Sequence, residues 1–240
     1  MTHISQRHLI HSTSWDVLVI LDACRYDYFK EEAPSFFDGR PLRVYSSGDG
    51  TIQWIKETWT DKRPGLTYFM SNPTMRNGPG ARLGDWNPLE HFKEVVELWK
   101  THWGKFTVHP REVVDEFIKR GSPVPAILHF NQPHYPYLGE TKFKISEELM
   151  SKFRGNEKAY PAARNTWIIE NKLTATLRRA YRENLRIVLG EVKRLADVTP
   201  NVRVVITADH GEWLGEGDRF FHTDGNVNCP ILRDVPWLRN

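Results

Sequence analysis

Cysteine is nearly absent: Cys24 and Cys229 are the two in 240 residues, and neither sits in a CxxC pair. A disulfide-stapled fold is excluded, and a reducing, cytoplasmic setting is the expectation. Long apolar runs are missing too. No stretch of about twenty apolar residues offers a membrane-crossing helix, and the opening MTHISQRHLIHSTSW lacks the apolar core of a secretion signal. Membrane insertion is not expected. Nor is one charge in surplus: 33 Lys+Arg against 30 Asp+Glu leave a net +3, spread along the chain without the dense basic stripe of a nucleic-acid binder. No internal repeat or low-complexity segment interrupts the chain. What remains has an average composition, 40% hydrophobic and 26% charged, and is long enough for one domain over residues 1–240 with a sizeable core.

WDVLVILDA (15–23) is a nearly unbroken run of Val, Leu and Ile, the pattern of a strand buried on both faces of a parallel sheet, and it ends on Asp22. A polar segment with helical spacing follows to about Lys30. PLRVYSS (41–47), LTYFMSN (66–72) and PAILHF (125–130) read as further strands, and residues 202–207 form another that runs into Asp209 and His210. Helical patterns lie between them. TIQWIKETW (51–59) sets Ile52, Ile55 and Trp59 on one face, HFKEVVELWK (91–100) and PREVVDEFIK (110–119) are amphipathic, and Thr174 to Asp197 repeats apolar residues every three or four positions. Asn72 to Asn87, rich in Gly, Pro and Asn, reads as a long loop. His3, His8 and His11 are irregularly spaced in what reads as a mobile amino terminus and look incidental. Strands alternating with helices imply an α/β fold, in which ligands bind beyond the carboxyl ends of the strands.

The chemistry gathers at those ends. Asp22 and the Asp209-His210 pair follow the two most convincing buried strands, and His134 lies a few residues beyond a third. Carboxylates and imidazoles brought to one sheet edge repel or stay unsatisfied unless they are hydrogen-bonded or hold a cation. Asp with His suits a divalent metal, Zn²⁺ or Mn²⁺ first, with Mg²⁺ or Ca²⁺ as the harder alternatives. Each residue alone also has a plain structural reading: Asp22 as a cap, His134 and His222 as packed residues among aromatics, Thr51 as a first-turn helix residue.

The blocks VLVILDACRYDYF, HFNQPHYPY (129–137), the long helix and VVITADHGEWLGEGDRFFH (204–222) resemble, in order and spacing, the alkaline phosphatase superfamily and most closely its sulfatase-like branch. The resemblance implies a three-layer sandwich with a mostly parallel central sheet and helices on both faces. It implies metal ligation by Asp22, Asp209 and His210, with His222 as a further ligand or a substrate contact and His134 facing the anionic group of the substrate. It places the nucleophile within SSGDGTIQW at a helix start, where backbone N–H groups favour an anion. Thr51, also a metal ligand, fits that role best, with Asp49 and Ser47 as the other registers. Two features depart from the sulfatase pattern. Neither cysteine lies in a C/S-x-P-x-R context, so formylglycine chemistry is not expected, and Asp22 is followed by Ala23 rather than a second aspartate.

The function so implied is hydrolysis of phosphate monoesters or diesters through a covalent threonine intermediate, with one or two divalent ions and a small phosphorylated or sulfated substrate. Two alternatives stay open: a phosphoryl or headgroup transferase of the same superfamily, and a non-catalytic metal- and anion-binding member.

Overall fold

The computed structural model describes residues 3–104, 106–153, 159–222 and 229–240. Seven strands make its main sheet: β1 Val17–Leu21, β2 Leu42–Tyr45, β3 Arg63–Met70, β4 Phe92–Glu97, β5 Ala126–Phe130, β6 Val204–Ala208 and β7 Asp234–Arg239. Their order is β2-β7-β6-β1-β5-β3-β4. β1 pairs in parallel with β5 and β6, and β3 with β4 and β5, while β7 runs antiparallel between β2 and β6. The expected α/β sheet is present.

Every residue of β1, β5 and β6 is buried. Successive side chains point to opposite faces of a sheet, so this pattern requires cover on both. Phe69 meets Phe117 of the helix Pro110–Lys119, ring centres 5.6 Å apart. Tyr68, one residue earlier, turns the other way with His129, and there Trp54 of the helix Thr51–Thr58 lies 6.0 Å from the imidazole. The long helix Thr174–Val198 packs beside Pro110–Lys119 and Tyr26–Glu32, burying the Leu177, Tyr181, Leu185, Val188, Val192 and Leu195 stripe legible in the sequence.

The register builds the site. Leu21, Phe130 and Ala208 lie side by side, so the residues that follow them, Asp22, Asn131 and Asp209, leave the sheet together, about one strand spacing (~4.8 Å) apart.

Two expectations need correction, and two elements were not expected. HFKEVVELWK is a strand over Phe92–Glu97, with helix only at Leu98–Thr101. Phe92, Val95 and Val96 have helical spacing, yet the edge of β3 offers a ladder to pair with, and the Phe92 ring meets Trp59 edge-on at 5.5 Å and Tyr68 tilted at 5.0 Å. Tertiary pairing and two β-branched valines outweigh the period. The amino terminus is also ordered from His3: Gln6–Ser12 is a helix with Gln6 and Ile10 buried. Gln6 donates to Thr207 Oγ1 at 2.7 Å and to the Ala208 carbonyl at 2.5 Å, and accepts from the Trp54 indole at 2.8 Å. It ties β6 to the helix that begins at Thr51. Finally, β7 and the helix Tyr160–Glu170 have no counterpart in the sequence reading. Pro236 inside β7 argues against a strand, but its free carbonyl accepts the Thr207 hydroxyl at 2.6 Å.

Gly211 follows the Asp209-His210 pair, and a Cβ there would lie 2.0 Å from the Ile231 carbonyl oxygen. Gly211→Ala is expected to lower unfolding stability in urea by about 1–3 kcal/mol, the cost of overpacking against backbone. An unchanged midpoint would contradict this close approach.

Candidate active site

Asp22 follows β1 through a constrained turn. Ala23 has φ +61°, a conformation that costs a non-glycine residue roughly 1–2 kcal/mol. Two contacts hold it there: the Ala23 amide donates to Asp209 Oδ1 at 3.0 Å, and Tyr181 of the long helix donates to the Ala23 carbonyl at 2.7 Å. Asn72, just past β3, donates to Asp22 Oδ2 at 3.1 Å. The Asp22 carboxylate is thus fixed from β3 and its backbone from the long helix.

Asp22, Asp209 and His210 are buried, and one ligand atom from each falls within 4.8 Å of the other two. The His210 Nδ1–H donates to the Gly211 carbonyl at 2.7 Å, which leaves the Nε2 lone pair 3.5 Å from Asp22 Oδ1, 3.5 Å from Asp209 Oδ2 and 3.3 Å from Thr51 Oγ1. Asp22 Oδ1 and Asp209 Oδ2 are buried without a hydrogen-bond partner. Burial, then the charges of Asp209 and Glu212, push the Asp22 carboxyl well above its usual range. Burial also pushes Asp209 up, but His210, His129 and the Ala23 amide outweigh it and hold Asp209 well below. Orphaned carboxylate oxygens facing an imidazole lone pair are the donor set a divalent cation takes. The residues fit such an ion.

A second group adjoins the first. Glu212, fully buried, lies 3.2 Å from His222 Nδ1 and 3.8 Å from His134 Nε2, and these three also converge within 4.8 Å. The His222 ring is 4.3 Å from that of His210 and 5.1 Å from that of His134. Burial, reinforced by the neighbouring imidazoles, lowers His134 to about 4 and His222 well below its usual value, so both rings are neutral lone-pair donors at neutral pH. Their supports are explicit. Asn184 of the long helix donates to the carbonyls of Pro133 and His134 at 3.1 and 3.0 Å, fixing the QPHYP loop, and Arg164 donates to the Phe220 carbonyl at 3.0 Å and lies over the Phe221 ring.

The structure therefore brings together Asp22, Thr51, Asp209 and His210, and sets His222 with His134 beside them. Thr51 is the first residue of its helix. Ser47 points elsewhere, its hydroxyl 2.6 Å from Thr58 Oγ1. Asp49 lies on the wall of an open cleft of about 480 Å³ that Thr51, His222, Gln53, Lys56, Thr74 and Arg82 also line. Gly48 is required just upstream, since a Cβ there would stand 2.4 Å from the Trp54 amide nitrogen. Cys24 is buried and its thiol is pushed up by burial, in keeping with a packing role. Arg25 pairs with Asp27 at 2.7 Å and with Glu216 at 2.8 Å.

Two residues were not foreseen. Glu212 is central to the second group. His129 is fully buried in β5, accepts from the Tyr68 hydroxyl at Nδ1 (2.7 Å) and turns Nε2 toward Asp209 Oδ2 at 3.6 Å. A histidine inside the otherwise apolar PAILHF is the signal that could have found it.

No protein-family model and no curated protein matches the sequence. Solved structures do. The lipooligosaccharide phosphoethanolamine transferase EptA of Neisseria meningitidis aligns over 95% of this chain and 48% of its own, with TM-score 0.61 and 13% identity. The periplasmic domain of EptC from Escherichia coli, in complex with Zn, aligns over 95% and 73%, with TM-score 0.58 and 17% identity. A phosphonate monoester hydrolase from Silicibacter pomeroyi aligns over 95% and 68%, with TM-score 0.53 and 14% identity. The fold is alkaline phosphatase-like. The structures that share it include phosphoethanolamine transferases, a sulfatase and a phosphonate monoester hydrolase. The chain spans about half the length of EptA. The cytoplasmic expectation is overturned, because the EptC structures with this fold are periplasmic domains, and scarce cysteine does not separate the two compartments. No helix among the described residues is long and apolar enough to cross a membrane.

Chelator-treated protein given Zn²⁺ or Mn²⁺ is expected to gain about 2.7 kcal/mol of stability at a hundredfold excess over Kd, read as a rise in Tm. Asp209→Asn should lose most of that rise. An equal shift in the variant would contradict the assignment of the cation to this cluster.

Proposed function

We propose that this chain is a metal-dependent phosphoesterase that works through a covalent phosphothreonine at Thr51. The observation that carries the reading is the contact between Thr51 Oγ1 and His210 Nε2, 3.3 Å, beside two buried carboxylate oxygens that lack partners. Asp22, Asp209, His210 and Thr51 would hold one divalent cation, Zn²⁺ or Mn²⁺. Such an ion lowers the pKa of a bound hydroxyl and offsets charge on the non-bridging phosphate oxygens. His134, Glu212 and His222 either hold a second ion or receive the transferred group.

Thr51 Oγ attacks phosphorus and loses its proton, while the bond from phosphorus to the leaving oxygen breaks and that oxygen departs as an alcohol. The Thr51 helix presents its first-turn amides to the phosphoryl oxygens. His134 and His222, neutral and with Nδ1 engaged by the Tyr135 carbonyl and by Glu212, keep their Nε2 lone pairs for a second divalent ion, which would offset charge on those oxygens. Water entering from the vacated side then takes the phosphoryl group from Thr51 and regenerates the hydroxyl. His129, pinned by Tyr68, positions Asp209 from behind and touches no substrate.

A transferase reading differs only in the acceptor, an alcohol in place of water. It draws support from the several phosphoethanolamine transferase structures that share the fold. Thr51→Ala is expected to cut turnover of nitrophenyl phosphate or its diester by at least about 10³-fold, as loss of a covalent nucleophile does, with metal content unchanged. Turnover retained in the variant would remove Thr51 from the mechanism. Adding a simple alcohol and measuring the ratio of alkyl phosphate to inorganic phosphate then separates transferase from hydrolase.

A further inference from the structure

The opposite edge of the sheet carries a cavity that the chemistry above does not use. It has a volume of about 490 Å³, and its walls come from the amino terminus, from Trp59 to Leu66, from Pro125 and from Arg203. It lies at the amino ends of β1, β3, β5 and β6, one strand length, about 17 Å, from the Asp22-Asp209 edge. Its ionisable lining is entirely basic: His11, Lys62, Arg63 and Arg203.

Among the described residues only one of the three cations, Arg203, has a carboxylate partner. Arg203 meets Asp16 through two bonds of 2.9 and 2.7 Å, and this contact holds the Asp16 carboxyl down at about 2. Arg63 has no carboxylate partner among the described residues. Its Nη2 donates to His11 Nδ1 at 2.6 Å, and His11 in turn donates from Nε2 to the Thr58 carbonyl at 2.8 Å, so the guanidinium rests on a second base. Arg63 Nε and the indole nitrogen of Trp59 are buried donors without acceptors. A half-buried guanidinium in this state favours an anion. The other walls are mixed: the rings of Trp15 and Trp59, with Ile10, Leu66 and two prolines, stand beside the hydroxyls of Thr13 and Ser14.

We propose that this cavity is a second ligand site, selective for a small organic anion with a flat ring. The anionic group pairs with Arg63 and Lys62, and the ring lies against Trp15 and Trp59. The site is independent of the esterase reading.

Isothermal titration calorimetry with benzoate, a ring-bearing anion without a phosphate, tests it on the full chain, with acetate as the ring-free control. Benzoate is expected to bind at one site, acetate at least about tenfold more weakly, and Arg63→Gln to weaken benzoate by a similar factor, near the worth of one charged hydrogen bond. Lys62→Glu, at an exposed residue whose replacement leaves the packing untouched, should weaken it in the same sense. Turnover by both variants should equal that of the wild type. Benzoate affinity unchanged in both variants, equal binding of acetate, or no binding at all would overturn the proposal.

Discussion

Two carboxylates forced side by side out of water are the constraint around which this molecule is arranged. β1 and β6 pair in register, so Asp22 and Asp209 leave the sheet as neighbours, and both are buried. Their like charges repel in a low-dielectric setting, and the opposite shifts of the two carboxyl groups record that conflict. Much of the structure around them answers it. Asn72 and the Ala23 amide each satisfy one oxygen, His210 turns a lone pair toward the remaining two, and His129 stands behind Asp209. Two oxygens are still left over, a pair that a divalent cation would satisfy.

The second layer explains how the fold holds this arrangement. The long helix reaches the site twice, through Tyr181 to the turn after Asp22 and through Asn184 to the loop bearing His134. Gln6, from the opposite end of the sequence, links Ala208 to Trp54 and so sets the Thr51 helix against β6. None of these groups needs to touch a substrate. They fix the angles at which the groups that do so meet.

Much of this was legible in the sequence where chemistry and burial coincide. The runs ending at Asp22 and Asp209 are fully apolar because both faces of those strands are covered, and a carboxylate at the end of such a run stands out. Other features depend on contacts that no local pattern encodes. Phe92–Glu97 has the spacing of a helix and becomes a strand because β3 offers it a partner. β7 contains a proline that reads as a breaker. Glu212 looks like any acidic residue after a DHG triplet until the fold buries it, with Gly211 pressed against the Ile231 carbonyl beside it. The amino-terminal histidines seemed incidental for the same reason: His11 gains its meaning from Arg63, fifty-two residues away in the chain.

The proposed function makes Thr51 Oγ1 the atom that bonds to phosphorus. The most direct test is intact-protein mass spectrometry of metal-loaded protein, acid-quenched during turnover of a phosphate ester, followed by peptide mapping. The account requires one phosphoryl adduct, located on Thr51 and absent without metal. An adduct on Asp49, Ser47 or a histidine, or turnover with no adduct under conditions that trap one, would contradict it.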